Sequence, residues 1–303
     1  MSKIVVVGSI SMDLVMRTKR IPEGGETIFG DSFNIVPGGK GANQAVAIGR
    51  LSSVEDNIYI FGNVGEDIFS ADLLSNLQNN DISTAYVGTV PQSSGVAQIT
   101  LYGGDNRIIY YPGANNLVKT NDWKNEWKLL SDASIVVLQN EIPHEANLSI
   151  AKFCQENQVK VLYNPAPARE TDKEMIPFCD FITPNEHECS ELFPDKKFEE
   201  IIKIYPNKMI VTLGVEGSIY YDGTAVKKIP AIKAEVVDTT GAGDTFNGAF
   251  AYAISKGKEM DVALSFATIA SHLSVQRFGA QGGMPSLKEI KEHSGYEEIW
   301  DFK

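Results

Sequence analysis

The sequence is poor in cysteine. Cys154, Cys179 and Cys189 are the three it has in 303 residues, too few and too scattered for a disulfide framework. His187 and Cys189 form one H-x-C pair, but no second pair at ligand spacing accompanies it, so no structural metal is expected there. Positive charge is also scarce: 27 Lys and Arg face 39 Asp and Glu, for a formal net charge of −12. Long-range repulsion then argues against a nucleic-acid or anionic-membrane partner. No apolar run approaches the roughly 20 residues of a membrane-spanning helix. The opening MSKIVVVGS moves straight into a strand-like run, so no secretory leader is expected and a cytoplasmic protein is. Two familiar phosphate-binding patterns are missing too. The first strand is followed by GSISMD, with one glycine, and GAGDTF lacks the third glycine of a dinucleotide fingerprint. A Walker A loop fails because Asn34 stands where its first glycine belongs and Gly41 follows Gly39-Lys40.

What is present is an ordinary globular composition, 43% hydrophobic and 22% charged. Short apolar runs recur at Ile4–Val7, Ile58–Phe61, Ile135–Leu138, Val159–Tyr163, Phe181–Thr183 and Met209–Leu213 and read as buried strands. Helical patterns lie between most of them, at Ala42–Leu51, Ser70–Leu77, Glu145–Gln155 and Phe198–Ile204, and two more follow at Thr245–Lys256 and Val262–Gln276. Such alternation predicts an α/β fold with a mostly parallel central sheet covered by helices on both faces. Two segments break it, about 13–37 and 93–112, with strand patterns and no helix between them. The second reads as a hairpin turning at Gly103-Gly104-Asp105. With no internal repeat or linker in view, one domain over residues 1–303 is expected. The two excursions would pair into a small sheet that lids the binding edge, and dimerisation would hide that sheet's apolar face.

Two glycine-rich stretches carry the chemistry. In DTTGAGDTFNGAF, Gly241-Ala242-Gly243 leads into a helix with Asp244 in its first turn. Free N–H groups and the helix dipole there hold anionic oxygen. An aspartate at that place is by itself an ordinary cap. Beside a phosphate it can instead accept the proton of an attacking hydroxyl. In VPGGKGANQAVAIGR, Gly38, Gly39 and Gly41 predict a tight bend before a helix that presents Lys40 and Asn43. Asp13 follows the first strand and Glu141 follows SIVVLQN. Both stand at strand carboxyl ends, where open α/β sheets bind ligands, and one carboxylate can hold two neighbouring hydroxyls.

On these residues the chain resembles the ribokinase (PfkB-type) carbohydrate kinases over nearly its full length. GGKGANQAVAIGR (Gly38–Arg50) and DTTGAGDTFNGAF (Asp238–Phe250) match two family signatures. YNPAPAR (Tyr163–Arg169), TPNEHE (Thr183–Glu188) and TLGVEG (Thr212–Gly217) occur between them in the family's order. The resemblance implies a ribokinase-like fold with a β-sheet lid and ATP-dependent phosphorylation of the primary 5-hydroxyl of D-ribose with Mg²⁺ and K⁺, while the homodimer is expected from the lid's apolar face. It makes Asp244 the catalytic base and Gly241, Ala242 and Gly243 the anion hole. Ser11, Asp13, Gly39, Lys40, Asn43, Glu141 and Asp244 would hold the sugar. Asn185, Thr212, Gly214, Gly217, Gly243 and Thr268 would line the nucleotide. Glu188 would reach Mg²⁺ through water, and Asp238, Thr240, Ser274, Arg277, Gly279 and Gly283 would surround the monovalent cation.

Three residues depart from the family pattern. Ser11 replaces an asparagine that contacts the sugar 2-hydroxyl, which leaves 2-deoxyribose, another small sugar or a nucleoside open as substrate. Gly283 replaces a serine among the cation ligands, and Thr268 replaces the Asn or His beside adenine. A sugar-binding regulator without catalysis is the alternative from another class, against which the intact Asp244 and its glycines speak.

Overall fold

The computed structural model describes residues 2–103, 105–120, 123 and 126–302. The first apolar run forms β1 (Lys3–Val7). The chain then leaves the main sheet for β2 (Ser11–Arg17) and β3 (Ser32–Gly38), and α1 (Lys40–Leu51) returns it to β4 (Asn57–Gly65). Helix α2 (Ser70–Gln78) leads to β5 (Ile82–Val90), and the second excursion is β6 (Gly95–Tyr102) and β7 (Asp105–Tyr111). After the short α3 (Trp127–Ser131) come β8 (Ile135–Gln139), α4 (His144–Glu156), β9 (Lys160–Asn164), β10 (Phe181–Ile182), α5 (Glu186–Leu192), α6 (Phe198–Ile204) and β11 (Ile210–Thr212). The hairpin of β12 (Ser218–Tyr221) and β13 (Val226–Ile229) precedes α7 (Ala242–Ser255), α8 (Met260–Ser274), α9 (Ala280–Gly283) and α10 (Leu287–Glu292).

Six strands pair in the order β10-β9-β8-β1-β4-β5, all parallel. Their continuous apolar runs follow from burial on both faces. Ile4 and Val6 join Ile135 and Val137 in a core with residues of α1, α7 and α8. Val5 and Val7 join Val136 and Leu138 in the opposite core with α4. The three cysteines are free and buried. The run at Met209–Leu213 does not simply add a seventh parallel strand. Two isolated parallel bridges, Ile182 with Met209 and Asn185 with Thr212, set it beside β10, while Ile210–Thr212 pairs antiparallel with β12, opening a three-stranded sheet β11-β12-β13. No helix among the described residues is long and apolar enough to cross a membrane.

The two excursions do pair, in a four-stranded sheet of order β3-β2-β6-β7. Strands β2 and β3 are antiparallel, β6 and β7 are antiparallel, and β2 and β6 run parallel across the middle. The expected hairpin is there, with Tyr102 opposite Asp105, while Gly104 of its turn lies outside the described residues. Alternation along the strands splits the sheet into two faces. One carries Asp13 and Val15 with Val36, Ala97, Ile99 and Tyr110 in register beside them. The other carries Leu14 and Met16 with Ile35, Phe33 and Ile109.

Candidate active site

The floor of the site is a row of polar residues where apolar strands end. β8 closes on Gln139, β9 on Asn164, and Thr183 follows β10. Asn164 Nδ2 donates to the Thr183 carbonyl (2.9 Å), and Thr183 Oγ1 donates to Asn247 Oδ1 on α7. Gln139 Nε2 donates to Gln44 Oε1 on α1 (2.8 Å). The first turns of α1 and α7 thus meet over the carboxyl ends of β8, β9 and β10, where an open parallel sheet binds ligands.

Asp244 sits at this junction, buried in the first turn of α7. Asn43 Nδ2 donates to its Oδ2 and Gln44 Nε2 to its Oδ1, each at 3.0 Å. Asn43 is itself held by Gln281 Nε2 on α9 (3.0 Å). Two amides from α1 therefore fix the plane of the carboxylate and leave lone pairs for a further donor. Gly241, the N-cap of α7, has φ 75°, and a Cβ there would lie 2.8 Å from Ala280 Cα. Glycine is needed at 241 on both counts. At Gly243 a Cβ would meet nothing within 4 Å, so packing does not require glycine there. Ala242 N–H donates to the Thr239 carbonyl (3.2 Å). The N–H groups of Gly241, Gly243 and Asp244 make no hydrogen bond to the described residues and open the helix terminus to an anion.

The second cluster lies between β1, β2 and α1. Glu141 Oε2 accepts from Ser9 Oγ (2.6 Å) and from Lys40 N–H (2.9 Å), so it caps α1 from across the sheet. Asp13 is 8% exposed on β2. A Cβ at Gly38 would fall 2.4 Å from both of its carboxylate oxygens, and Gly39, at φ 88°, would bring one within 2.9 Å of Ser11 N. The glycines of GGKG thus bring backbone against Asp13 where a side chain would displace it. Burial pushes the Asp13 carboxyl up to about 7, with Glu141 and Asp244 adding to the rise and Lys40 opposing it. Burial alone would lower the Lys40 ammonium. Asp244, Glu141, Glu188 and Asp13 together carry it above its ordinary value. Ser11 is fully buried, and its hydroxyl accepts from Asn115 Nδ2 (3.0 Å).

On the opposite flank, Asn185 and Glu188 form a capping box at α5: Asn185 Oδ1 accepts from Glu188 N–H, and Asn185 N–H donates to Glu188 Oε2, both 2.8 Å. Burial lifts Glu188 above the usual carboxylate range, opposed by that hydrogen bond and by Lys40. Thr212 ends β11, and Gly214 and Gly217 form the following turn with φ of 53° and 95°. Thr268 is buried on α8 with its hydroxyl donating back to the Leu264 carbonyl (2.8 Å). Asp238 ties two loops together, accepting from Thr240 N–H and Gly279 N–H at 2.9 Å each. Arg277 pairs with Glu289 and Ser274 Oγ donates to the Ser271 carbonyl (2.8 Å). A Cβ at Gly283 would sit 2.1 Å from the Ser274 carbonyl oxygen.

Sequence reasoning singled out Asp244, Asn43, Asp13, Lys40 and Glu141, and the fold brings them to one place. It passed over Gln44, Asn115, Gln139, Asn164, Asn247 and Gln281. A signal existed for three of these: Gln139 and Asn164 end otherwise apolar strands, and Gln44 precedes the buried stretch Ala45–Gly49 of α1. A buried amide at such a place demands a partner.

The likeness of this arrangement to known proteins is extensive. A family model described as pfkB family carbohydrate kinase matches residues 1–287. A ribokinase of Lactococcus lactis subsp. lactis is 60% identical over 291 residues, 96% of each chain. A ribokinase of Bacillus subtilis is 44% identical, covering 96% of this chain and 99% of that one. Among solved structures, a ribokinase of Arabidopsis thaliana complexed with ribose and ATP superposes with a TM-score of 0.87 at 32% identity, covering 100% of both chains. With a buried carboxylate at an open helix terminus, and relatives matched end to end, the chain belongs to the pfkB family of carbohydrate kinases.

Proposed function

We propose that this kinase transfers the γ-phosphoryl group of ATP to the 5-hydroxyl of D-ribose, giving ribose 5-phosphate and ADP. The observation that carries the reading is Asp244, fixed by Asn43 and Gln44 beside the unpaired N–H groups that open α7. Asp244 takes the 5-hydroxyl proton as that oxygen bonds to the γ-phosphorus. The bond from phosphorus to the bridging oxygen breaks, and the electron pair leaves on ADP. The N–H groups of Gly241 and Gly243 hold the charge that develops on phosphate oxygen. Asp13 accepts from two neighbouring sugar hydroxyls. Glu141, Lys40, Asn43 and the Gly39 backbone complete the sugar site, while Asn185, Thr212, Gly214, Gly217 and Thr268 border the nucleotide.

Mg²⁺ suits Glu188, whose Oε1 makes no hydrogen bond among the described residues. Among those residues no group of three or more His, Cys, Asp or Glu is arranged to hold a metal, which fits an ion carried mostly by water and phosphate. Bound there, it would neutralise phosphate charge. K⁺ would sit among Asp238, Thr240, Ser274, Arg277, Gly279 and Gly283, where Asp238 ties the Thr240 and Gly279 segments together. The β3-β2-β6-β7 sheet is the lid of a single domain. Its outer face carries exposed Met16, Phe33, Ile35 and Ile109, apolar surface that a second lid would cover in a homodimer.

ADP release from ATP, Mg²⁺ and D-ribose in K⁺ buffer tests the reading, with Asp244→Ala alongside. Ribose-dependent turnover should fall by about 10²–10⁴-fold in the variant, with the melting temperature little changed. A variant that keeps near wild-type kcat would remove Asp244 from the chemistry.

A further inference from the structure

Two amides hold the Asp244 carboxylate, and they are secured in different ways. Gln44 Nε2 donates to Asn164 Oδ1 (3.2 Å) as well as to Asp244, and Asn164 Nδ2 donates to the Thr183 carbonyl. That arm ends on a backbone oxygen, which only accepts, so its amides have one orientation. The Asn43 arm ends on side chains instead. Gln281 Nε2 donates to Asn43 Oδ1 (3.0 Å), and Gln281 Oε1 accepts from Asn76 Nδ2 on α2 (2.7 Å). Three amides thus run in a line from half-buried Asn76 to Asp244.

An ionised carboxylate only accepts hydrogen bonds, so Asn43 must turn its Nδ2 toward Asp244. Its Oδ1 then needs a donor, which Gln281 supplies, and Gln281 Oε1 needs one in turn, which Asn76 supplies. Each amide depends on its neighbour for its sense. Asn43, Gln281 and Asp244 are all buried, so a reversed amide would set two oxygens face to face away from water. The outer end is clamped through its backbone too. Arg50, on α1, donates through Nη1 to the Gln281 and Met284 carbonyls and through Nε to Asn80 Oδ1 (2.9 Å). Asn80 Nδ2 donates to the Asn76 carbonyl (2.8 Å). One guanidinium therefore sets the spacing between Gln281 and Asn76.

We infer that Gln281 is a positioning residue for phosphoryl transfer: it holds the Asn43 carbonyl, keeps the Asn43 amide nitrogen on Asp244, and so fixes the plane of that carboxylate. Asn76 sets the sense of Gln281 from α2. The inference rests on the reading of Asp244 as the base. A carboxylate held at one oxygen can still turn, whereas one held at both cannot, and a general base acts only from the right direction. Gln44 secures one oxygen and the Gln281–Asn43 pair secures the other.

The test measures kcat and the KM for ATP, with D-ribose saturating, in wild type, Gln281→Met, Asn76→Ala and the double variant, with thermal melts on each. Methionine keeps the length of the side chain and removes both of its hydrogen bonds. Gln281→Met should lower kcat roughly tenfold, the worth of one hydrogen bond, and Asn76→Ala about threefold. The KM for ATP should stay within about twofold in both. Because Asn76 acts through Gln281, adding Asn76→Ala to Gln281→Met should change kcat no further. A Gln281→Met enzyme with wild-type kcat overturns the inference, as do losses that add in the double variant. A fall in kcat matched by a rise in the KM for ATP and a lower melting temperature marks general damage and overturns it too. With Asp244→Ala alongside, either result fails this inference alone so long as that variant is impaired. An Asp244→Ala enzyme with near wild-type kcat removes the base, and this inference with it.

Discussion

At the scale of single residues, Asp13 is where chemistry and pH meet. Its carboxyl sits near 7 because burial and the neighbouring Glu141 and Asp244 disfavour charge more than Lys40 restores it. A pKa raised above the ordinary 3.8 means that folding takes up a proton between that value and about 7, so this group's contribution to stability declines as pH rises through the window. Sugar binding at the proposed Asp13 site runs the other way, because hydroxyl donors need the charged acceptor. Calorimetric titration with ribose, without nucleotide, should show affinity rising from about pH 6 to about pH 8 with proton release, and Asp13→Asn should flatten the trend. A wild-type profile that is flat or falls with pH would sink this account. Asp13 was legible in the sequence as an aspartate after a strand. Its elevated pKa was not, because it comes first from burial in the fold and then from Glu141 and Asp244, which lie more than a hundred residues away in the chain.

At the scale of elements, what was legible followed from periodicity. The apolar runs that read as buried strands became β1, β4, β8, β9 and β10, because a parallel sheet covered on both faces needs no alternation. Helix boundaries shifted by a few residues: the pattern ending at Gln276 stops in the structure at Ser274, short of the Gly279 turn. The hairpin β12–β13 went unread, since its strands are four residues each and β13 is half lysine. The amide network beneath Asp244 was legible only in part: Gln44, Gln139 and Asn164 carried a signal, but their partners come from five strands and helices far apart in the chain. Gly283 yields an element-scale prediction. With the Ser274 carbonyl 2.1 Å from the place of a Cβ, Gly283→Ser should strain the α9 loop by about 1–3 kcal/mol. It should lower the melting temperature rather than strengthen activation by K⁺. Unchanged melting with steeper K⁺ activation would show that the loop yields easily.

At the scale of the whole molecule, the small sheet is the part whose two faces differ most in what they expose. Its inner face supplies Asp13 and Tyr110, while its outer face leaves Phe33 and Ile35 about half exposed and Ile109 more so. On the proposed homodimer, Ile35→Lys should turn a dimeric wild type into a monomer in sedimentation and raise the sugar KM, because an unsupported lid closes less well. A wild type that sediments as a monomer at working concentration would refute the assembly.

The four carboxylates Asp13, Glu141, Asp244 and Glu188 gather around one ammonium, Lys40. A neutral sugar enters that field without penalty and is held by its hydroxyls. Once phosphorylated it carries about two negative charges into the same enclosure. On the proposed sugar site, those carboxylates would oppose the charge of the product once it has left the N–H groups of α7, and so favour its departure.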